Sequence, residues 1–274
     1  MWLKSCGRIL ISFFLTLACC HTARADWTGE IYGGRYYDDN RFGSYLVLSS
    51  VKPEGPILIA EALYENYTGY EFAGIGGHFL WPVEETVNIG IVASQSWETT
   101  EFIDFGDFDY KSRTAGIELE FDTQKVTLAA QAGRFYTGFD ETTSPYLSAD
   151  LYAWSSSRNW YLRGATRWIS TDSLYFIEGY HSNYLIGFPV TGYIGTSVFN
   201  SNILANVIID SVYIGGYVEL LSTPYSTLFL WTEVAEFDGE VLLTLELSFG
   251  FGPGARTPYI TAFGFPIDRR VVIP

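Results

Sequence analysis

The chain has 274 residues, 18% of them aromatic and 17% charged, and a formal net charge of −15. Without residues 1–25 it keeps 13 basic and 31 acidic side chains, a formal charge of 13 − 31 = −18. Such acidity disfavours nucleic acid as a partner. No stretch after residue 25 reaches the ~18 apolar residues of a spanning helix, so membrane insertion would require closed β-sheet.

The first 25 residues are typical of a secretory signal peptide. Lys4 and Arg8 form a basic start, residues 9–20 form an apolar core, and residues 23–25 supply small side chains for cleavage. The protein is therefore expected to be exported.

We expect cleavage before Asp26, with lipid attachment to Cys20 as the alternative. The remaining residues, 26–274, contain no Pro/Ser-rich linker or charge block, so one domain is predicted. All three cysteines precede residue 26, so this domain has no disulfide to stabilise it.

The clearest antiparallel hairpin is predicted around a turn at 122–125, where opposite residues must share a face. Small and polar residues, including Glu118 and Glu120, occupy one face. The other face is apolar, and its predicted pairs are Phe121 with Val126, Leu119 with Leu128, Ile117 with Ala130, and Ala115 with Ala132.

A second hairpin is predicted around 156–157, with Trp160 opposite Ala153 and Arg163 opposite Asp150. A third has its turn at Asp238-Gly239, a favoured two-residue turn. The strand that follows alternates between apolar and polar residues through Phe249.

Runs bounded by turn residues predict about fourteen strands, within a range of 12–16. Their expected starts are residues 27, 43, 56, 70, 85, 108, 125, 145, 158, 173, 190, 202, 225 and 239. Residues 56–66 could instead form a short helix, and residues 202–221 alternate poorly. The connections at 99–107 and 137–144 are long and acidic, and we place them outside the cell.

Trp160 and Trp168 share one face eight residues apart, roughly 20 Å along the membrane normal for a tilted strand. This spacing predicts two aromatic girdles around an apolar band. Two ordinary core tryptophans are the alternative.

From the signal peptide through the fourteen strands, the chain resembles Gram-negative outer-membrane barrels of the porin-like kind. The resemblance implies an all-β, antiparallel transmembrane barrel in the outer membrane. It also implies an aromatic residue at the end of the closing strand. The last aromatics are Phe263 and Phe265, so either that strand ends there, before a short basic tail over 266–274, or the signal for barrel assembly lies elsewhere in the chain.

The polar face of the strands places charged side chains in the lumen, where they would set ion selectivity. Four are acidic and two basic, which predicts a mild cation preference. Bulky inward residues such as Tyr152 and Trp231 predict a narrow bore. The six charged residues are Glu118, Glu120, Asp150, Arg163, Arg167 and Glu246.

The predicted register also places Arg113 opposite Arg134 on the lipid-facing side, with Lys111 two residues away. Like charges in this position destabilise a sheet unless a counter-ion is present. We hypothesise that lipopolysaccharide phosphates supply it. Side chains that only reach into water are the alternative.

Catalysis has few candidate groups after residue 25. The segment Tyr180-His181-Ser182-Asn183 resembles the His-x-Ser-Asn segment of lipid A deacylase barrels, but adjacent strand residues point to opposite faces. Acidic residues between Glu98 and Asp109 could hold calcium or form a solvated loop. No catalytic residue, metal or cofactor is assigned.

The function expected first is a porin-like channel for small solutes. A structural or accessory envelope barrel, serving polysaccharide export or surface attachment, is the second possibility. A lipid esterase and a soluble periplasmic β-sandwich are further alternatives. Expected partners are outer-membrane lipid, lipopolysaccharide and small solutes or saccharides.

Overall fold

A computed structural model of the chain describes residues 26–36, 39–51, 55–102, 106–170, 172–201, 207–237 and 239–265. The signal peptide and the tail over 266–274 lie outside these residues. The described residues form fourteen β-strands: β1 Asp26–Tyr36, β2 Asp39–Val51, β3 Ile57–Tyr67, β4 Tyr70–Glu84, β5 Val87–Phe102, β6 Gly106–Asp122, β7 Val126–Thr137, β8 Thr142–Trp154, β9 Trp160–Ile169, β10 Asp172–Leu185, β11 Phe188–Ser201, β12 Val207–Thr223, β13 Ser226–Phe237 and β14 Glu240–Phe251.

The strands form one closed antiparallel barrel in which each strand pairs with its sequence neighbours and β1 pairs with β14. We call the end where β1 begins and β14 ends the terminal end, and the opposite one the far end. Closure leaves no unpaired sheet edge. Among the described residues, no helix is long and apolar enough to cross a membrane.

The barrel wall is apolar outside and polar inside. Ile91 and Ile117 point outward and are 62% and 64% exposed, whereas the neighbouring Glu118 and Glu120 point inward and are 2% and 0% exposed. A soluble protein buries its large aliphatic side chains and exposes its carboxylates. The reversed pattern is that of a barrel whose exterior faces lipid.

Two predicted registers are wrong by two residues. Phe121 lies opposite Leu128, not Val126, and Arg163 lies opposite Tyr152, not Asp150. The connection at 155–159 is longer than the predicted turn at 156–157, and the tip of the first hairpin lies one residue later than in the predicted turn at 122–125. A shift by two keeps every side chain on its predicted face, because strand side chains alternate with period two.

The closing strand ends at Phe251, opposite Gly29 of β1. The expectation that it continues to Phe265 is wrong, because Gly252 and Gly254 adopt positive φ angles of 119° and 92° and turn the chain away from the wall. The closing strand nevertheless ends on an aromatic residue. The possible helix over 56–66 is also wrong, since those residues form most of β3.

Candidate functional site: the filled lumen

The inner wall carries all six charged residues that the sequence placed in the lumen. They are joined by further carboxylates that were not predicted to face the lumen: Glu30, Glu61, Glu65, Glu98, Glu178 and Glu233. Additional cationic or titratable groups inside the barrel are Arg41, His78 and Arg256. Carboxylates therefore outnumber cations in the described interior.

Asp150 and Arg163 form a buried ion pair although they are not directly opposite. The Arg163 guanidinium donates to both Asp150 oxygens, from Nε at 3.1 Å and from Nη2 at 2.9 Å. Tyr152 donates to the same carboxylate at 3.1 Å. Glu178 lies 3.7 Å from the other end of the guanidinium. The charges are thus locally matched within the wall.

Beyond β14, residues 252–265 leave the wall and enter the barrel from its terminal end. We call them the C-terminal segment. The turn is fixed by a hydrogen bond of 2.9 Å from the Gly252 amide to the Tyr225 carbonyl. Ile260, Ala262 and Phe263 are then buried inside the barrel. The C-terminal segment therefore occupies part of the lumen.

The C-terminal segment is held by a buried cluster of four side chains, which we call the histidine cluster: Glu61, His78, Glu118 and Gln131. His78 Nδ1 lies 2.5 Å from Glu118, and His78 Nε2 bonds Glu61. Both ring nitrogens can donate at once only in the cationic imidazole. With both carboxyl groups ionised, the cluster is therefore a histidine cation between two carboxylates.

The histidine cluster also binds the main chain of the C-terminal segment. Gln131 Nε2 donates to Glu118 and to the Ile260 carbonyl, both at 3.2 Å. The Ala262 amide donates to Glu61 at 3.3 Å. The C-terminal segment thus supplies hydrogen-bond partners for Gln131 and Glu61 of the histidine cluster. These bonds link the segment to the barrel wall.

Nearer the terminal end, an ion pair anchors the C-terminal segment. Arg256 pairs with Glu120, and its main-chain amide donates to Ser49 at 2.8 Å. Tyr259 donates to Asp122 at 2.8 Å. Both acceptor carboxylates are at the end of β6, so the segment passes over that end of the strand as it enters the barrel.

Towards the far end, small residues of β4 make room for the C-terminal segment. A Cβ atom at Gly74 would lie 2.5 Å from the Phe263 ring, and one at Gly76 would collide with Ala262. Phe263 packs edge-on against Phe72, with ring centroids 5.3 Å apart. Inward-facing glycines next to His78 are the sequence signal for this packing, which was not predicted.

Aromatic side chains fill much of the remaining interior. The buried cluster extends from β8 to β13, and Tyr161 and Tyr180 stack with centroids 4.2 Å apart. Its buried aromatic members are Tyr152, Tyr161, Tyr180, Tyr193, Tyr213, Tyr217 and Trp231. Inward Tyr152 and Trp231, used to predict a narrow bore, both belong to it.

The candidate catalytic pair of β10 is separated by the wall. His181 points outward and stacks on Trp160 at 3.9 Å between centroids. Ser182 points inward and bonds Thr191 at 2.9 Å. This arrangement does not provide the base-to-nucleophile hydrogen bond that an esterase would need.

The acidic region between β5 and β6 is also divided by the wall. Glu98 points inward and accepts from Tyr70 at 3.0 Å, whereas Asp109 points outward and accepts from Thr99 at 2.6 Å. Asp104 lies outside the described residues. Among those that are described, no three acidic or histidine side chains are grouped as metal ligands.

The outer wall carries the other residues that the sequence singled out. Lys111, Arg113 and Arg134 are exposed on the outside of β6 and β7, but Arg113 lies opposite Tyr136 rather than Arg134. The expected direct opposition is wrong by the same two-residue shift. Trp160 lies outside at the terminal end and Trp168 outside near the far end, and both are exposed.

Together, the closed fourteen-stranded wall, its apolar exterior and its polar interior define a transmembrane β-barrel of the outer-membrane type. The sequence matches no known protein family and no characterised protein.

Similar solved structures are outer-membrane barrels. Omp33 of Acinetobacter baumannii is 11% identical over 83% of this chain and 97% of its own, with a TM-score of 0.49. A bacterial polysaccharide outer membrane secretin is 9% identical over 83% and 98%, with a TM-score of 0.46. A mutant porin of Rh. blastica is 8% identical over 83% and 99%, with a TM-score of 0.41. At these values the resemblance says nothing about function.

Proposed function

We propose that this protein is a narrow outer-membrane channel for small solutes, with a preference for cations, and that its C-terminal segment holds it closed. The main support for this proposal is the contact between the C-terminal segment and the acidic inner wall. A barrel with only a structural role would not require buried carboxylates that bind the C-terminal segment.

The charge of the interior supports the cation preference. Inward carboxylates outnumber inward cations among the described residues, so the interior carries a net negative charge, which attracts cations and repels anions. Arg163 is neutralised by Asp150, so it contributes little to the field. Removal of Arg256 with the segment would also free Glu120.

The way the segment is attached supports a channel that can open. The wall is joined by continuous ladders between neighbouring strands. The C-terminal segment forms no such ladder in the described structure, and its main chain bonds side chains at Ser49, Glu61 and Gln131. The segment can therefore leave without breaking a strand pair.

The width of the wall supports a narrow bore. Fourteen strands lie between the ~8-stranded barrels that side chains fill and the ~16-stranded porins with aqueous channels. The aromatic cluster occupies one side of the lumen, and the C-terminal segment occupies the side near β3 to β7. Displacement of the segment would open a path along its acidic side.

Planar-bilayer recordings test the proposal. We compare the chain without its signal peptide with a truncation that ends at Gly252, and we confirm folding of both by heat-modifiable migration. The full chain should be closed for most of the record, and the truncation should conduct steadily. In a potassium chloride gradient, the reversal potential should have the sign for cation selectivity. Its magnitude should be smaller in the double variant Glu118→Gln/Glu120→Gln.

A folded truncation without conductance would contradict a channel and favour a structural or accessory barrel. A conducting truncation with anion selectivity would contradict the cation preference alone. The filled lumen is the observation that favours the structural role, because a packed interior needs no open path.

A further inference from the structure

Three basic side chains form a small group on the lipid-facing side of the barrel. Lys111 and Arg113 are two residues apart on β6, and Arg134 is on the adjacent strand β7. Spacings along and across the sheet place neighbouring members within roughly 8 Å. We call these three residues the basic outer patch.

The basic outer patch lies where the apolar band of the wall ends. Outward residues of β6 run from Leu119 and Ile117 through Ala115 to Arg113. On β5, the outward residue opposite Arg113 is Gln95. The change from apolar to polar residues occurs at the same level on both strands, which marks the boundary between hydrocarbon and headgroups.

Aromatic residues border the basic outer patch at the same level. Trp97 lies opposite Lys111, and Tyr136 lies opposite Arg113. Trp and Tyr are enriched where a membrane protein meets the headgroups. The patch is therefore positioned at headgroup depth near the far end of the barrel.

None of the three cations pairs with a described carboxylate. The nearest acidic residue along the strand, Asp109, is two residues beyond Lys111 and is hydrogen-bonded to Thr99. Clustered like charges repel one another, and no described carboxylate of the wall lies within ion-pair distance to offset this repulsion. In the interior, by contrast, Arg163 and Arg256 have acidic partners.

We propose that the basic outer patch binds phosphate groups of lipid headgroups, specifically those of lipopolysaccharide in the outer leaflet. Guanidinium groups match phosphate with paired, charge-assisted hydrogen bonds, and an ammonium adds a point charge. This lipid site requires only that the barrel lie in the outer membrane. It does not require the channel function proposed above, so each proposal can be tested independently of the other.

Lipid co-purification from a host that makes lipopolysaccharide tests the site. We compare the full chain with K111Q/R113Q/R134Q and count lipopolysaccharide per protein by native mass spectrometry. One cation near an anionic membrane contributes about fivefold in binding. The amount of lipopolysaccharide per protein should therefore be at least about tenfold lower in the triple variant than in the wild type.

A matched control separates this site from general charge. Lys125 and Arg158 are in the turns after β6 and β8, at the opposite end of the barrel. The control variant K125Q/R158Q should bind as much lipopolysaccharide as the wild type, whereas R113Q/R134Q should bind less. Heat-modifiable migration should be unchanged in all variants, which would show that they fold. Equal lipid in the wild type and the triple variant would overturn the proposal, since the cations would then only reach into water.

Reloading of delipidated protein identifies the phosphate source. We add lipid A with its phosphates, lipid A treated with phosphatase, or inorganic phosphate. The proposal requires that the phosphorylated lipid bind and that millimolar inorganic phosphate not displace it. Equal binding of the dephosphorylated lipid, or full displacement by inorganic phosphate, would contradict a lipid-phosphate site.

Discussion

Gln131 on β7 donates a hydrogen bond of 3.2 Å to the carbonyl of Ile260, which follows it by 129 residues. The same amide nitrogen donates to Glu118, so one side chain joins the barrel wall, the histidine cluster and the C-terminal segment. Because Gln131 and Ile260 are buried, the bond is protected from competition by water. Its loss should loosen the segment before it affects the wall.

A single engineered thiol would report that loosening. The mature chain is predicted to contain no cysteine, and Thr261 is buried beside Ile260. We expect Thr261→Cys to react slowly with a membrane-impermeant thiol reagent and much faster when combined with Gln131→Ala. Gln95→Ala, on the outer face, is the control and should leave the rate unchanged. Equal rates in both double variants would show that Gln131 does not hold the segment.

The buried ion pair of Asp150 and Arg163 should matter for stability. Asp150→Asn leaves Arg163 with Glu178 at 3.7 Å as its remaining acidic neighbour. Breaking a buried pair by removing one partner costs about 3–5 kcal/mol. Urea unfolding in detergent micelles should show a loss of this size, whereas exposed Lys125→Gln should change stability by about 0.5 kcal/mol or less. Equal changes would place the pair in a hydrated, open lumen.

The orientation of the wall predicts a depth-dependent cost on its outer face. Ile117 is 64% exposed in the apolar part of β6 and should face lipid tails. A lysine at the midplane of a barrel costs about 2–4 kcal/mol, and one near the interface about 0–1 kcal/mol. Folding titrations into lipid vesicles should separate Ile117→Lys from Thr143→Lys, at the far end of β8. A small cost at Ile117 would contradict a lipid-facing surface.

Trp160 and Trp168 should lie at the two membrane interfaces. Trp160 stacks on His181, and Trp168 donates to Tyr175 at 2.5 Å, so both rings are fixed on the outer face. Lipids brominated near the headgroup should quench their fluorescence more than lipids brominated at the chain ends. Difference measurements with Trp160→Phe and Trp168→Phe isolate each signal. Stronger quenching from the chain ends would contradict the girdle.

Strand positions and side-chain faces could be predicted because they depend on local alternation. The start of β4 at residue 70 is correct, and the predicted faces of Glu118 and Arg163 match the structure. Exact partners could not be predicted, because face agreement is unchanged when a strand slides by two residues. Only the length of each turn decides between such registers.

The C-terminal segment was missed because its aromatic residues alternate like those of a strand. Phe263 and Phe265 are separated by one residue, as on one face of a sheet. The sequence Gly252-Pro253-Gly254 was the opposing signal, since proline lacks the amide needed for a central ladder and glycine permits positive φ. The histidine cluster was missed because its members lie on four strands, and His78 of β4 meets Glu118 of β6 across the intervening strand β5.

Conductance of the full chain carrying Gly76→Val shows whether the C-terminal segment closes an acidic lumen. The new side chain points at Ala262 and leaves the sequence of the segment intact. Gly179→Val is the matched control, because a Cβ there meets only Leu162 at an ordinary 3.6 Å. We predict steady, cation-selective current from Gly76→Val and a closed barrel from Gly179→Val. Folded Gly76→Val protein that remains closed would show that the C-terminal segment does not close the lumen.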